Sequence, residues 1–296
     1  MPYLDDNKIK FLEEMSNEIR ADIIEELVEA GSGHTAGPLG MADIFTALYF
    51  HILKHDPKNP GWQDRDRLVL SNGHICPVLY ATMARAGYFP LEEVKTLRKF
   101  GTRLQGHPHR TALPGLETTS GPLGSGLSQA VGMAIAARLP GEARSASGGA
   151  AHNINIYCLM SDGEQECGQT WEAAMLAGKL KLDNLTALID RNNIQIDGMT
   201  EQIMPLEPLR AKYEAFNWHV LEINGHDFHE IANAFETAKA IYEKPVLIIA
   251  HTIPGKGIPE IEFDYKWHGI PPKPEEAKKF LAELRTLGGK ITSEHE

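Results

Sequence analysis

Five short apolar runs, at residues 68–70, 154–159, 185–189, 220–223 and 246–250, punctuate the chain, and each is bounded by polar turns. Helical patterns fill the intervals at 76–86, 127–138, 169–180 and 228–242. An apolar run this short fits a buried strand better than a core helix. Buried strands that alternate with amphipathic helices need crossover connections. The expected fold class is therefore α/β, a doubly wound and mostly parallel sheet flanked by helices. Upstream of the runs, Ile9, Leu12, Met15, Ile19, Ile23 and Leu27 recur at helical spacing, and Gly31 and Gly33 stand where that helix would stop. A second apolar helix is expected from about 41 to 53.

No composition shift divides the chain, so a single domain over residues 1–296 is expected. The small-residue stretch 141–151 reads as a surface loop ahead of a central strand. Two non-periodic stretches, about 99–126 and 252–272, carry His, Gly and Pro. Loops of that length inside a compact domain usually serve a function. The formal charge of −11 argues against a nucleic-acid partner and leaves room for a metal that neutralises an anionic cofactor. Three cysteines, Cys76, Cys158 and Cys167, are too few for a disulfide framework or a zinc cage and suit a reducing cytoplasm. The start lacks a basic-then-apolar leader, and no stretch reaches the roughly 18 apolar residues that cross a bilayer. A cytoplasmic protein without a membrane partner is expected.

Ligands of open α/β sheets bind at the carboxyl ends of the strands. Met160-Ser161-Asp162-Gly163 stands at such an end, and Asp190-Arg191-Asn192-Asn193 stands at the next. If the two strands are neighbours, a carboxylate and an amide oxygen converge. A hard cation such as Mg²⁺ takes about six oxygens, readily drawn from few side chains plus phosphates. Asp162, Asn192, a backbone carbonyl just beyond it and two diphosphate oxygens would nearly complete that shell, and Gly163 lets backbone approach the anion. Singly, an Asp-Gly or an Asn-Asn after a strand is most often a turn; paired on consecutive strands they are far more specific.

The segment running from Ser161-Asp162-Gly163-Glu164 through Trp171-Glu172-Ala173-Ala174 and Lys181-Leu182-Asp183-Asn184-Leu185 to Asp190-Arg191-Asn192-Asn193-Ile194-Gln195-Ile196-Asp197-Gly198 resembles the thiamine diphosphate motif of transketolases. The resemblance extends over nearly the whole chain. It includes, in the expected order, Ser32-Gly33-His34, Leu70-Ser71-Asn72-Gly73-His74, Gly106-His107-Pro108, Gly121-Pro122-Leu123-Gly124, Gly255-Lys256-Gly257 and Trp267-His268-Gly269. It implies a thiamine diphosphate-binding fold and a divalent metal (Mg²⁺, or Ca²⁺ or Mn²⁺) held by Asp162, Asn192 and the Ile194 carbonyl. It also implies that Gly121, Gly163, His74 and His268 contact the diphosphate. Leu123 and Ile196 would pack on the cofactor rings, with Pro122 between Gly121 and Leu123 in the same cofactor segment. His34, His74, His107 and His268 would line the substrate channel as catalytic residues. A ring of histidines suits polyol recognition and proton shuttling, because imidazole donates, accepts or carries a proton near neutral pH.

Three features depart from other patterns or from the family. Gly31-Ser32-Gly33-His34-Thr35-Ala36 formally fits a dinucleotide fingerprint but follows a helix where a strand is required. His34-Thr35-Ala36-Gly37-Pro38 replaces the usual Pro-Gly continuation. Cys167 occupies the place of a glutamate that in the family lies at the subunit interface, with Glu166 one position earlier. His109, His152, His219, His226, His229 and His251 are expected to be ordinary solvated side chains.

Full-length transketolases continue into further domains, and the chain stops soon after a helical segment at 275–287. The resemblance assigns activation of the cofactor to a glutamate of the pyrimidine-binding domain, for which this chain offers no residue. The expectation is the N-terminal, diphosphate-binding subunit of a split transketolase, with a separate C-terminal subunit in an α2β2 assembly. It would move a two-carbon glycolaldehyde unit from a ketose to an aldose, acting on sugars or sugar phosphates as in pentose phosphate metabolism. The alternatives are a deoxyxylulose-phosphate synthase-like or 2-oxoacid dehydrogenase α-like chain, or a non-catalytic cofactor-binding homologue.

Overall fold

The structure is a computed structural model and describes residues 4–139 and 154–286. The expected loop at 141–151 and His152 lie outside the described residues. The first helix, α1 (Asp6–Ala30), opens on Asp5, whose side chain accepts from Lys8 N at 2.7 Å, and ends at Gly31 with φ 61. Helix α2 spans Ala36–Ala47 and passes into a π-helical turn at Leu48–Ile52. It starts earlier than its apolar pattern suggested. Pro38 lies in its first turn, where a missing N–H breaks no helical bond. Gly40 is fixed by close approach, since a Cβ there would lie 2.8 Å from the Ile253 carbonyl oxygen.

The remaining chain follows the expected alternation. Strand β1 (Arg67–Leu70) leads to α3 (Cys76–Arg85) and α4 (Ser125–Arg138). Next come β2 (Ile156–Ser161), α5 (Gly168–Lys179) and β3 (Leu185–Arg191). A small hairpin follows, β4 (Ile194–Gln195) with β5 (Gly198–Met199), and then two short helices, α6 (Thr200–Ile203) and α7 (Leu209–Ala215). The chain closes with β6 (His219–Asn224), α8 (Phe228–Ala240), β7 (Val246–His251) and α9 (Pro274–Thr286). The sheet has the order β1-β2-β3-β7-β6, and every neighbouring pair in it is parallel. No helix among the described residues is long and apolar enough to cross a membrane.

Side-chain alternation sorts the core into two layers. Tyr157, Leu159, Leu188, Val246, Ile248 and Ala250 face the cluster built with α1, α2, α3, α8 and α9. Ile156, Cys158, Met160, Ala187, Ile189, Leu247 and Ile249 face α4, α5 and α7. Apolar residues on both faces explain why β2 and β3 are buried at every position. Chain leaving β1 and β7 joins the first layer, whereas chain leaving β2 and β3 joins the second. The carboxyl ends of these strands therefore open onto crevices where successive connections diverge, which is where such folds bind ligands.

One buried polar group ties α1 and α2 of the first layer to the loop beyond β7. Arg20 Nη2 donates to Asp43 Oδ2 at 2.5 Å, and His226 Nδ1 lies 2.7 Å from the same oxygen. Ile253 N donates to His226 Nε2 at 2.8 Å, which makes Nδ1 the protonated nitrogen facing Asp43. His226 is thus a structural link and not the solvated side chain its loop position suggested.

Candidate active site

Four neighbouring strands deliver their turns to one edge of the sheet. Beyond β1, glycine at 73 is required by contact: a Cβ there would stand 2.4 Å from Ser120 Cβ and 3.4 Å from His107 Cδ2. Ser120 Oγ donates to the Leu70 carbonyl at 2.5 Å and fixes the second loop on the first. His74, His107 and Gly121 are thereby gathered. Gly121 has φ 147, and nothing lies within 4 Å of where its Cβ would be, so its backbone faces open space. Next to it, the Pro122 carbonyl accepts from Ser125 Oγ at 2.7 Å.

His34 follows α1, and Thr35 Oγ1 donates to the Ile270 carbonyl at 2.6 Å, tying this loop to the one that carries His268. The ring centroids of His34 and His74 are 4.8 Å apart, and each is 5.5 Å from that of His268. Nδ1 of both His34 and His268 is buried and has no hydrogen-bond partner among the described residues. Buried polar atoms are normally satisfied, so these two nitrogens suit a ligand's hydroxyl or phosphate. Burial, followed by nearby imidazoles and Arg98, pushes His34 down to about 4. Burial and neighbouring imidazoles hold His74 well below the ordinary histidine value, and burial lowers His107 and His268 as well. All four rings are neutral at pH 7 and able both to donate and to accept.

Beyond β2, Asp162 caps the one-turn helix at Gly163–Glu166, Oδ1 accepting from Gly163 N at 2.7 Å. Its Oδ2 accepts from Asn193 N at 2.8 Å, Arg191 Nη1 at 3.1 Å and Thr200 Oγ1 at 3.2 Å. Oδ1, with a single donor, keeps lone-pair capacity for a cation. Burial raises the Asp162 carboxyl, and Arg191 with the backbone donors opposes that. Beyond β3, Asn192 Nδ2 donates to Asp190 Oδ2 at 2.8 Å, while Asn192 Oδ1 accepts from Ile194 N at 3.0 Å. Thr252 Oγ1, beyond β7, donates to Asp190 Oδ1. Burial lifts Asp190 to about 7, and the nearby Asp162 charge adds to this.

Asp162, Asn192 and Ile194 thus belong to one network that spans the ends of β2, β3 and β7. The expected neighbour relation of the two strands holds, with Ser161 paired to Asp190. Gly163 lies against the hairpin: its Cβ would sit 3.4 Å from the Gln195 side chain. Leu123, next to Gly124, and Ile196, between the hairpin strands, are 39% and 65% exposed and so are open to contact with a ligand. Oxygen donors suited to a hard cation, an open glycine backbone, orphaned imidazole nitrogens and uncovered aliphatics together fit a metal-bridged diphosphate with rings at one end. Among the described residues, no cluster of three or more His, Cys, Asp or Glu could hold a metal ion. A cation here would draw on the amide, a backbone carbonyl and phosphate oxygens beside the Asp162 carboxylate.

Glu164 joins the two halves, although nothing in the sequence singles it out. Its Oε1 accepts from the Ser71 hydroxyl and from Gly124 N at 2.6 Å, and its Oε2 accepts from Ser161 N at 3.2 Å. Sequence reasoning misses Asp190, Arg191 and Thr252 in the same way. Each lies in or near one of the motifs, but its partner is distant in sequence. At the position where the family carries a glutamate, Cys167 packs against Gly124, whose Cβ would lie 2.7 Å from the Cys167 Cβ. Burial and two nearby glutamates raise its thiol, so it stays protonated. The Glu166 side chain accepts from Gln195 Nε2 on the hairpin.

Residues 12–287 match the family model described as "Transketolase, thiamine diphosphate binding domain". The chain is 45% identical over 278 residues to the 6-deoxy-6-sulfo-D-fructose transketolase subunit of Clostridium sp., covering 94% of this chain and 97% of that protein. It is 39% identical over 288 residues to an apulose-4-phosphate transketolase subunit of Phocaeicola vulgatus, covering 97% of this chain and 99% of that one. Among solved structures, transketolase from Leishmania mexicana superposes with a TM-score of 0.86 at 36% identity, over 93% of this chain and 41% of its own. The family model covers most of the chain and both relatives are matched over nearly their whole length, so the chain belongs to the transketolase thiamine diphosphate-binding domain family.

Proposed function

We propose that this chain is the N-terminal, diphosphate-binding subunit of a thiamine diphosphate- and Mg²⁺-dependent transketolase. Residues 1–296 form its single domain, and it works in the cytoplasm with a separate C-terminal subunit in an α2β2 assembly. The observation that carries this reading is the Glu164 carboxylate, which ties the end of β1, beside the clustered His34, His74 and His268, to the end of β2 that presents Asp162. Two relatives matched over nearly their whole length are named as transketolase subunits, which favours this reading over a deoxyxylulose-phosphate synthase or a 2-oxoacid dehydrogenase chain.

In this reading Asp162 Oδ1, Asn192 Oδ1 and the Ile194 carbonyl hold the cation. Asp190 acts as a positioning residue: by taking Asn192 Nδ2, it leaves the amide oxygen for the metal. The backbone at Gly121 and Gly163, with His74 and His268, receives the diphosphate, and Pro122 shapes that segment. Leu123 and Ile196 cover the cofactor rings. Thiamine diphosphate, when bound, supplies the electron sink for cleaving the bond next to a ketose carbonyl. His34, His74, His107 and His268 bind sugar hydroxyls and exchange protons with them, as neutral imidazoles can. The glutamate that activates the cofactor is assigned to the partner chain. The test is an assay of ketol transfer by the purified chain with thiamine diphosphate and Mg²⁺. No turnover is expected until the C-terminal subunit is added, and full activity from the chain alone would overturn the split-enzyme reading.

A further inference from the structure

Thr35 stands at the N-cap of α2, where a threonine side chain ordinarily accepts from the backbone of the first helical turn. Here it makes no capping bond, and its backbone is helical, with φ −105 and ψ −52, instead of extended. Its hydroxyl is spent elsewhere: Oγ1 donates to the Ile270 carbonyl at 2.6 Å, 235 positions away. The residue is fully buried. It also falls where the chain departs from the usual Pro-Gly continuation, and a proline could not make this bond.

The accepting loop is otherwise held loosely around His268. Trp267 N donates to the Asp264 carbonyl at 3.1 Å and His268 N to the Tyr265 carbonyl at 2.9 Å, so both bonds close within one turn. The Trp267 ring meets Phe280 of α9 edge-on, with 5.4 Å between centroids. Apolar contact is non-directional, so it seats the loop without setting its register. Gly255 N donates to the Ala36 carbonyl at 2.9 Å, but that tie lies well before the loop reaches His268. The Thr35 bond is directional and meets the chain two residues past His268, while Thr35 itself adjoins His34. Gly269 closes the contact, since a Cβ there would lie 3.7 Å from His34 Nε2. Across this junction the two rings stand 5.5 Å apart at 84°.

We propose that Thr35 is a positioning residue for this histidine pair: its hydroxyl, held by the Ile270 carbonyl, sets His268 against His34 so that both unpaired ring nitrogens address one bound ligand. Nδ1 of each ring is buried and has no partner among the described residues. Two such nitrogens serve one ligand only if their separation is kept to within roughly 0.5 Å. The use made of the pair rests on the transketolase reading given above, whereas the placement of His268 does not.

The experiment compares T35V and T35A, which remove the hydroxyl with and without keeping the side-chain volume, and T35S, which retains it. In the full complex with the C-terminal subunit, thiamine diphosphate and Mg²⁺, kcat/KM for ketol transfer should fall about 3- to 10-fold in both T35V and T35A, the worth of one hydrogen bond. T35S should stay within about 2-fold of the parent. In an H268N background the same substitutions should cost nothing further, because the ring that Thr35 positions is gone. Equal losses in the two backgrounds, or no loss in either, would overturn the proposal. A loss in T35V alone would mark crowding by the added methyl and overturn it as well. A second measurement needs no turnover: the ring ¹H–¹⁵N signals of His268 in the full chain should move in T35V and T35A and return in T35S, while those of His55, bonded to Tyr88, stay in place. Unmoved His268 signals would overturn the proposal even where ketol transfer is normal. Moved signals in a complex without any ketol transfer would support the placement and count against the transketolase reading alone.

Discussion

Truncating Glu164 to alanine removes a carboxylate on which three chain segments converge. Ser71 at the end of β1, Gly124 at the start of α4 and Ser161 at the end of β2 all donate to it, and the site is fully buried. Each buried donor left without a partner costs about 1–3 kcal/mol. Relief of the carboxylate's own desolvation, the main cause of its raised pKa, offsets part of the sum. A net loss of about 3–5 kcal/mol is expected, a large fraction of the roughly 5–15 kcal/mol that holds a typical domain together. E164Q keeps the shape but turns an amide N–H₂ toward donors, so about 2 kcal/mol or more should still be lost. Urea unfolding followed by the fluorescence of Trp171 and Trp218 measures both variants. A loss below about 1 kcal/mol in E164A would refute the claim that this carboxylate joins the two halves of the site.

Acid should destabilise the fold through the histidine ring. His34 is held at about 4 in the folded chain, against an ordinary value of 6.5, so the unfolded chain binds the extra proton between those limits. Stability is full above the unfolded value and falls with pH below it, by about 2 kcal/mol between pH 6.5 and pH 5 from this residue. H34N should flatten that part of the curve, and identical pH profiles for the two chains would contradict the assignment. At the hairpin, I196S replaces a side chain that is 65% exposed, so the urea midpoint should not move. Its affinity for thiamine diphosphate should fall about 10-fold through lost apolar contact, and unchanged affinity would remove Ile196 from the site.

The fold was legible because its strongest signal is local. Apolar runs such as 185–189 can be buried only in a sheet covered on both faces, and β3 is buried throughout. Strand ends were less legible, since Ser161, Asp190 and Arg191 look like turn residues yet belong to β2 and β3. The start of α2 was hidden by Gly37, Pro38 and Gly40, which read as breakers until the tertiary contact at Ile253 explains Gly40. For the site, Asp162 and Asn192 could be found because a strand end, an acidic or amide oxygen and a glycine fall together in sequence. Glu164 could not, because its meaning depends on Ser71, 93 positions away. Asp190 depends likewise on Thr252, 62 positions away. No periodicity encodes such pairings; they exist only once parallel strands set Leu70 beside Leu159 and Asp190 beside Ala250.

Everything proposed for the site depends on Asp162, Asn192 and the Ile194 carbonyl holding a cation that bridges to a diphosphate. Alanine at Asp162 is a poor probe, because it would strip four hydrogen bonds and so disturb the fold as well as the site. Calorimetric titration of thiamine diphosphate into the unmodified protein, with Mg²⁺ and then with a chelator, leaves every protein contact in place. Binding should weaken at least about 100-fold when the metal is withdrawn, with thiamine itself weak in both conditions. Equal affinity for thiamine diphosphate with and without Mg²⁺ would contradict the metal-bridged site.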